Sequence, residues 1–443
     1  MRPNVLLLMV DAFRADRVWG GGRLCVTPFL DELVTRSTSF TKTFAPASMT
    51  TCCTATLLTG TYPFVHGIRS LSDARLPPDL PTLAELFKRN GYRTWAEVTG
   101  PLAPVTGLDR GFDEYAHRRY TETLDTPWGV ELRAGLAEAR APWFGLLHLW
   151  ELHNPRRVTP EYDKPKYGPN LYDRAVSSLD HELQRLFQVL PDETAVILTG
   201  DHGEFVSASR GANVVARLKG PLRWARKNVP GARTLKRLTP ALTRRADQLT
   251  RGKQDLHLSW LGHGYHVYDY LVHVPLLIYA PGTFPAGLRV AELSSHVDLY
   301  PTLTLAFDLD PFDTPTQNSV DLYAVAHDPG QTLSDRAVYL EASGGRMRPR
   351  PEQWLAAIRT KRYKYVRGLF SEELPAELYD LQADPGEREN IIAARPELAA
   401  ELRARLAELM AVETRAAPAE EAAYTAEEQE ILEERLRDLG YLE

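Results

Sequence analysis

Cysteine is scarce in this 443-residue chain: only Cys25, Cys52 and Cys53 occur. Three thiols, two of them adjacent, build no disulfide framework, and the usage fits a reducing compartment. Long hydrophobic runs are missing too. The apolar stretch at the N-terminus, Asn4-Val-Leu-Leu-Leu-Met-Val10, stops at Asp11. That is too short and too abruptly polar for a signal peptide or a membrane span, so a cytoplasmic protein is expected. An excess of positive charge is also absent: the net charge is -6, which argues against nucleic acid as the main partner. No internal repeat or long low-complexity tract appears. With 44% hydrophobic and 25% charged residues, the composition is that of a globular chain with a large core.

What is present reads as alternating strand and helix. Val5–Val10, Trp143–Trp150, Thr194–Leu198 and Val274–Tyr279 are apolar runs of the kind buried on both faces of a parallel sheet. Thr27-Pro28 opens a helix, Thr82–Asn90 and Val130–Ala139 read as two more, and Leu171–Leu190 carries apolar residues at a helical period. The expected fold is therefore α/β, a mostly parallel sheet flanked by helices. Beyond about residue 308 the pattern changes. Short strands at Ala337–Glu341, Trp354–Arg359, Tyr363–Gly368 and Glu377–Leu381, then a helix at Pro396–Met410, predict a smaller C-terminal α+β subdomain over 309–410. A helical tail over 411–443 follows, and residues 1–308 form the main domain.

In such sheets ligands gather beyond the carboxyl ends of the strands. Asp11, the pair Glu151 and His153, and the pair Asp201 and His202 all fall there. Three strands thus bring acids and imidazoles to one edge. The segment Ser48–Gly60 reads as a loop entering a helix whose start is crowded with small hydroxyl residues, a setting suited to an anion. Asp11, Asp201 and His202 offer a mixed oxygen and nitrogen set for a divalent cation, better suited to Mn²⁺ or Zn²⁺ than to Ca²⁺ or Mg²⁺. A cation meeting Thr50 would make its hydroxyl a nucleophile. His153 and His263 are then candidates for holding substrate oxygens or protonating the leaving group, and His296 is kept as a further candidate. His66 and His273 read as structural. Cys52 and Cys53 read as small buried residues.

One stretch differs from its surroundings. Phe205–Lys253 holds thirteen Lys or Arg against a single acid, Asp247. It reads as a basic surface insertion over 205–256, with peripheral contact to an anionic surface as its functional alternative.

The motifs together resemble the sulfatase family of the alkaline-phosphatase superfamily. The resemblance is carried by Pro3-Asn-Val, Val10-Asp11-Ala-Phe-Arg-Ala-Asp16, Thr27-Pro-Phe-Leu-Asp31, Leu57-Leu-Thr-Gly60, Asp201-His-Gly-Glu204, His296-Val-Asp298 and Leu378-Tyr-Asp-Leu-Gln-Ala-Asp-Pro-Gly386. They occur in the family's order along nearly the whole chain. The departures are informative. Sulfatases carry a Cys or Ser, converted to formylglycine, in a Cys/Ser-x-Pro-x-Arg motif. Here that position is Thr50 and the arginine position is Thr54, so formylglycine is not expected. The second aspartate that usually adjoins the first is Ala12, and Glu97-Val-Thr-Gly100 stands where a Lys-x-His pair is usual.

The resemblance therefore implies the threonine-nucleophile branch, with Asp11, Thr50, Asp201 and His202 at the metal, and with His153 and His263 at the substrate. It implies a hydrolase of phosphate or phosphonate (di)esters or sulfate esters, acting on a small anionic ester. The alternatives are a transferase passing the same group to an alcohol, and a catalytically silent anion-binding protein. Glu151 and His296 are the residues considered for a second metal.

Overall fold

Every residue of β1 (Asn4–Val10) is buried, and its alternate side chains serve two cores. The computed structural model describes residues 2–411 apart from 21–22, 72–73, 207–262, 313–317, 329, 331–332, 334 and 346–348, together with residue 430. The basic insertion beyond Val206 and the C-terminal tail expected over 411–443, apart from residues 411 and 430, lie outside the described residues.

Val5, Leu7 and Met9 face one layer, built by α2 (Thr50–Thr59), α4 (Leu83–Arg89) and two later helices, while α3 (Pro63–His66) turns Phe64 and Val65 toward the C-terminal part. Leu6, Leu8 and Val10 face the other, where α1 (Pro28–Arg36), α5 (Pro127–Glu138) and α6 (Leu171–Phe187) pack. This is the alternation a strand imposes on its side chains. The remaining strands of the sheet are β2 (Thr38–Phe44), β3 (Arg93–Val98), β4 (Glu114–His117), β5 (Trp143–Leu149), β6 (Thr194–Gly200), β7 (His273–Tyr279) and β8 (Arg289–Ser295). Their order across the sheet is β4-β3-β5-β1-β6-β7-β2-β8. Only β7 runs against its neighbours, β6 and β2; every other pairing is parallel.

Local chemistry sets the helix starts. Thr82 and Glu85 form a reciprocal capping box at α4, and the Asn170 side chain accepts from Asp173 N–H at α6. Thr27 sits at the cap position of α1, but its hydroxyl does not cap. The Asp180 carboxylate of α6 does so instead, accepting from Phe29 N–H at 3.1 Å and Leu30 N–H at 2.7 Å.

The short helix α7 (Asp269–Val272) precedes β7, and α8 (Leu299–Ala306) and α9 (Leu322–His327) complete the first core. A second, antiparallel sheet follows, ordered β12-β11-β10-β9, from β9 (Ala337–Ala342), β10 (Leu355–Thr360), β11 (Tyr363–Gly368) and β12 (Glu377–Asp380). The helix α10 (Pro396–Ala411) lays Leu402, Leu406 and Leu409 on it. This sheet meets the main one beside the loop that enters α2: Glu341 N–H donates to the Pro46 carbonyl at 2.8 Å.

Candidate active site

The parallel register places the site. Val10 pairs with Leu149 on one side and Gly200 on the other, so Asp11, Trp150 and Asp201 leave the sheet at the same level. Asp11 and Asp201 are wholly buried, as are His202 and, at 1% exposure, Thr50. The Thr50 hydroxyl lies 3.1 Å from Asp11 Oδ2 and 3.4 Å from His202 Nε2. Asp201 Oδ1 accepts from the N–H groups of Ala12 (3.0 Å) and His202 (2.7 Å). His202 Nδ1 lies 2.7 Å from the Gly203 carbonyl. Donation there fixes the tautomer and turns the lone pair of Nε2 toward Thr50.

Ala12 holds an unusual backbone, φ 60°. A non-glycine residue there carries a cost of roughly 1–3 kcal/mol that its surroundings must offset. They do so at both ends of the residue. Its N–H meets Asp201, and its carbonyl accepts from the Tyr172 hydroxyl at 2.6 Å. The bend turns the chain away directly after Asp11.

The loop that begins at His263 closes the site from the far side. His263 Nδ1 is 3.1 Å from the Ser48 carbonyl, and Gly264 N–H donates to the Ser48 hydroxyl at 2.9 Å. The His263 ring stacks on His202 with centroids 4.6 Å apart, and His153 meets it edge-on at 5.8 Å. Trp150 supports His153, centroid to centroid 4.0 Å. Three imidazoles therefore line one wall.

All six residues expected from the sequence, Asp11, Thr50, His153, Asp201, His202 and His263, gather at this edge. The two considered for a second cation do not join them. Glu151 turns back to accept from Leu124 N–H at 2.9 Å, and His296 approaches the Thr199 hydroxyl at 3.4 Å. Burial pushes the His296 ring down to about 3. His66 and His273 are structural by contact, the first 3.0 Å from the Thr56 hydroxyl, the second 2.9 Å from the Thr41 carbonyl. Cys53 is buried 3.1 Å from the Ala47 carbonyl, and burial raises its thiol far above the usual range.

One further imidazole joins the cluster. His148, fully buried in β5, brings Nε2 to 3.7 Å from Asp11 Oδ2. A lone imidazole within an otherwise apolar strand was the available signal, and reading Trp143–Trp150 as a uniform apolar run hid it.

The electrostatics suit a bound cation. Burial, and then the neighbouring Asp201 carboxylate, hold Asp11 well above the ordinary carboxylate range. Burial opposes charge on His202, but the Asp201 and Asp11 carboxylates outweigh it and raise its pKa. Burial pushes His148 down to about 4, so it is neutral near pH 7. Asp11 Oδ1 and Asp201 Oδ2 have no hydrogen-bond partner although both are buried. Two buried acids with unsatisfied oxygens fit a divalent cation, and Asp11, His148 and Asp201 each offer an atom within 4.8 Å of the others.

The chain is thus an α/β protein whose mostly parallel sheet carries a buried cluster of acids and imidazoles beyond its strand ends. The chain belongs to the sulfatase family: the Sulfatase family model matches residues 3–309, and a second, N-sulphoglucosamine sulphohydrolase, C-terminal, matches 260–412. Among curated relatives, the ulvan-active sulfatase of Formosa agariphila is 24% identical over 92% of this chain and 82% of its own length. Arylsulfatase K of Homo sapiens is 21% identical over 89% and 80%. Among solved structures, the phosphonate monoester hydrolase of Agrobacterium radiobacter aligns with TM-score 0.68 at 20% identity, covering 93% of this chain and 96% of that one. A 2-O GAG sulfatase aligns with TM-score 0.65 at 18% identity, covering 93% and 92%.

Proposed function

We propose that this protein is a divalent-cation-dependent hydrolase of phosphate, phosphonate or sulfate esters in which Thr50 is the nucleophile. As a sulfatase-family chain whose relatives are sulfatases and a phosphonate monoester hydrolase, it is a hydrolase of sulfuric or phosphoric ester bonds. The observation that carries the finer reading is the Thr50 hydroxyl, buried at the first turn of α2, within 3.1 Å of Asp11 Oδ2 and 3.4 Å of His202 Nε2.

Asp11, Asp201 and His202 would hold the cation. When bound, it supplies charge that stabilises an alkoxide on Thr50 and polarises the ester. The chain's own groups do the rest. The Thr50 hydroxyl donates toward the Asp11 carboxylate, which takes up its proton as the Oγ1 lone pair attacks phosphorus or sulfur. The new Oγ1 bond forms as the bond to the leaving oxygen breaks. His263 and His153, on the facing wall, deliver a proton to that oxygen. Water then cleaves the Thr50 ester: the imidazole that gave up its proton takes one from the water as its oxygen attacks phosphorus or sulfur, and Oγ1 leaves with the proton held on Asp11, which restores every group and releases the anion.

The test is turnover of nitrophenyl esters of phosphate, phosphate diester, phosphonate and sulfate by cation-loaded protein, with Thr50→Ala and Thr50→Ser beside the parent. Thr50→Ala should lower kcat by about 10³–10⁶-fold while Thr50→Ser keeps part of it. Sulfate-ester turnover that survives Thr50→Ala overturns the threonine mechanism. Transfer of the group to an added alcohol in preference to water would assign the same threonine to a transferase.

A further inference from the structure

We propose that His148 is a ligand of the buried cation and makes the centre prefer Mn²⁺ or Zn²⁺ over Ca²⁺. The proposal rests on the cation-dependent reading above and extends it to a residue outside the Asp11, Thr50, Asp201 and His202 set.

Strand register puts the ring where it must be. His148 pairs with Met9, and Met9 pairs with Thr199 on the other side. Asp11 and Asp201 follow Met9 and Thr199 by two positions, and side chains two apart on a strand share a face. His148 therefore stands one step below the two carboxylates, on their side of the sheet. Its Nε2 lies 3.7 Å from Asp11 Oδ2, and the ligand atoms of Asp11, His148 and Asp201 are all within 4.8 Å of one another. Donor atoms around a cation with bonds of about 2.1 Å stand about 3–4 Å apart.

The polar bookkeeping points the same way. The Thr99 backbone contacts one side of the His148 ring, while Asp11 Oδ1 and Asp201 Oδ2 are buried with no hydrogen-bond partner beside His148 Nε2. Buried polar atoms are nearly always satisfied, and orphans clustered in this way call for a common partner. A cation meets all the oxygens and one nitrogen at once. The other oxygen of Asp201 is already engaged by the Ala12 and His202 N–H groups, so its orphan is aimed by the backbone rather than by chance.

Selectivity follows from the donor type. Ala12 stands beside Asp11, so that position offers no second carboxylate. With His148 and His202 the centre has two imidazoles against two carboxylates and a hydroxyl. Calcium takes six to eight oxygen donors and gains little from imidazole, whereas Mn²⁺ and Zn²⁺ accept mixed nitrogen and oxygen sets.

The experiment uses the full chain, stripped with chelator and reloaded. Mn²⁺ binding is titrated by the loss of the free-ion electron paramagnetic resonance signal, and Ca²⁺ binding by equilibrium dialysis, for the parent, His148→Ala, His148→Asn and Asp201→Asn. His148→Ala and His148→Asn should weaken Mn²⁺ at least tenfold and Ca²⁺ less than threefold. A Mn²⁺ to Ca²⁺ preference unchanged in folded His148 variants overturns the proposal. Asp201→Asn separates the two levels of inference. If it binds Mn²⁺ as tightly as the parent, the cation-dependent reading itself falls; if it loses Mn²⁺ while the His148 variants do not, only His148 is rejected. X-ray absorption of the Zn²⁺-loaded parent needs no variant: two imidazole ligands support the assignment, and one overturns it.

Discussion

A Cβ added to Gly100 would lie 2.3 Å from Cζ3 of Trp150, so the indole packs where any side chain at position 100 would have to go. Gly100 also has φ +73°, which L residues rarely adopt. The same Trp150 ring supports His153 at 4.0 Å. Gly100→Ala should therefore cost about 2–4 kcal/mol, from the left-handed backbone and the overpacking together. Because the displaced indole carries His153 with it, turnover should fall more than cation affinity does. Steady-state kinetics alongside a Mn²⁺ titration distinguishes this from simple unfolding. Unchanged kcat in a folded Gly100→Ala variant would show that Trp150 does not position His153.

A second prediction concerns acid stability. The His66 ring is buried in α3, with Nδ1 accepting from Ile68 N–H at 3.2 Å and Nε2 at 3.0 Å from Thr56. Burial, with Arg69 adding to it, pushes this imidazole down to about 3 from 6.5. A histidine whose folded pKa is depressed takes its proton first in the unfolded chain. Stability is thus full above about 6.5 and is lost as the pH falls toward 3. At about 1.4 kcal/mol per unit, this group alone withdraws about 2 kcal/mol by pH 5. His66→Gln keeps a polar partner for Thr56 and removes the titration. Urea unfolding at pH 7.5 and pH 5 should show a pH dependence smaller by about that amount, and an identical dependence would exonerate His66.

Asp11→Asn separates charge from packing at the candidate centre. In chelator-treated protein Asp11 and Asp201 are buried near each other with only the His202 imidazole to offset them, and burial, then Asp201, raise the Asp11 pKa. Neutralising one of them should leave the metal-free melting temperature equal or higher. Added Mn²⁺ should then stabilise the parent and not the variant, because the gain requires tight binding to the folded state. Calorimetry with and without chelator reads both effects. Equal stabilisation of parent and variant by Mn²⁺ would move the cation away from Asp11.

The sequence made the strands of the sheet's centre legible because β1, β5 and β6 are buried on both faces and read as apolar runs. Their ends exposed Asp11, His153, Asp201 and His202 as a group, and the α/β architecture followed from the alternation. β2, Thr-Ser-Phe-Thr-Lys-Thr-Phe, gave no such signal. Its burial depends on hydroxyls that find partners only in three dimensions: Thr38 donates to the Pro285 carbonyl at 2.6 Å, and Thr43 meets Ser294 at 2.7 Å. β8 ends in Ser294-Ser295 and was hidden for the same reason. At the site, His148 was missed because its role depends on register with β1, which no spacing along the chain encodes. Glu151 looked available because it shares the strand end with His153, yet the Leu124 N–H draws it away.

The last prediction tests how the second sheet is tied to the site. Lys364 of β11 has no exposed surface, and its ammonium lies 2.5 Å from Asp269 Oδ1, 2.6 Å from Glu387 Oε1 and 2.7 Å from the Val267 carbonyl. Arg359 of β10 reaches the other Asp269 oxygen at 3.1 Å. Asp269 opens α7, a few residues after His263, so this buried network fixes the segment that clips onto Ser48. Burial and the Asp269 carboxylate raise Glu387 to about 7, against the opposing pull of Lys364. Lys364→Met removes the cation and strands the buried Glu387, while Asp269 keeps Arg359, a change that costs about 3–5 kcal/mol. Lys364→Met combined with Glu387→Gln leaves Asp269 to Arg359 alone and should recover part of that loss. Melting temperatures of the single and double variants measure the coupling. If the network also sets the loop, the double variant, though refolded, should show a higher KM than the parent, since His263 would no longer be held over the site. A double variant with parental KM would confine Lys364 to stability.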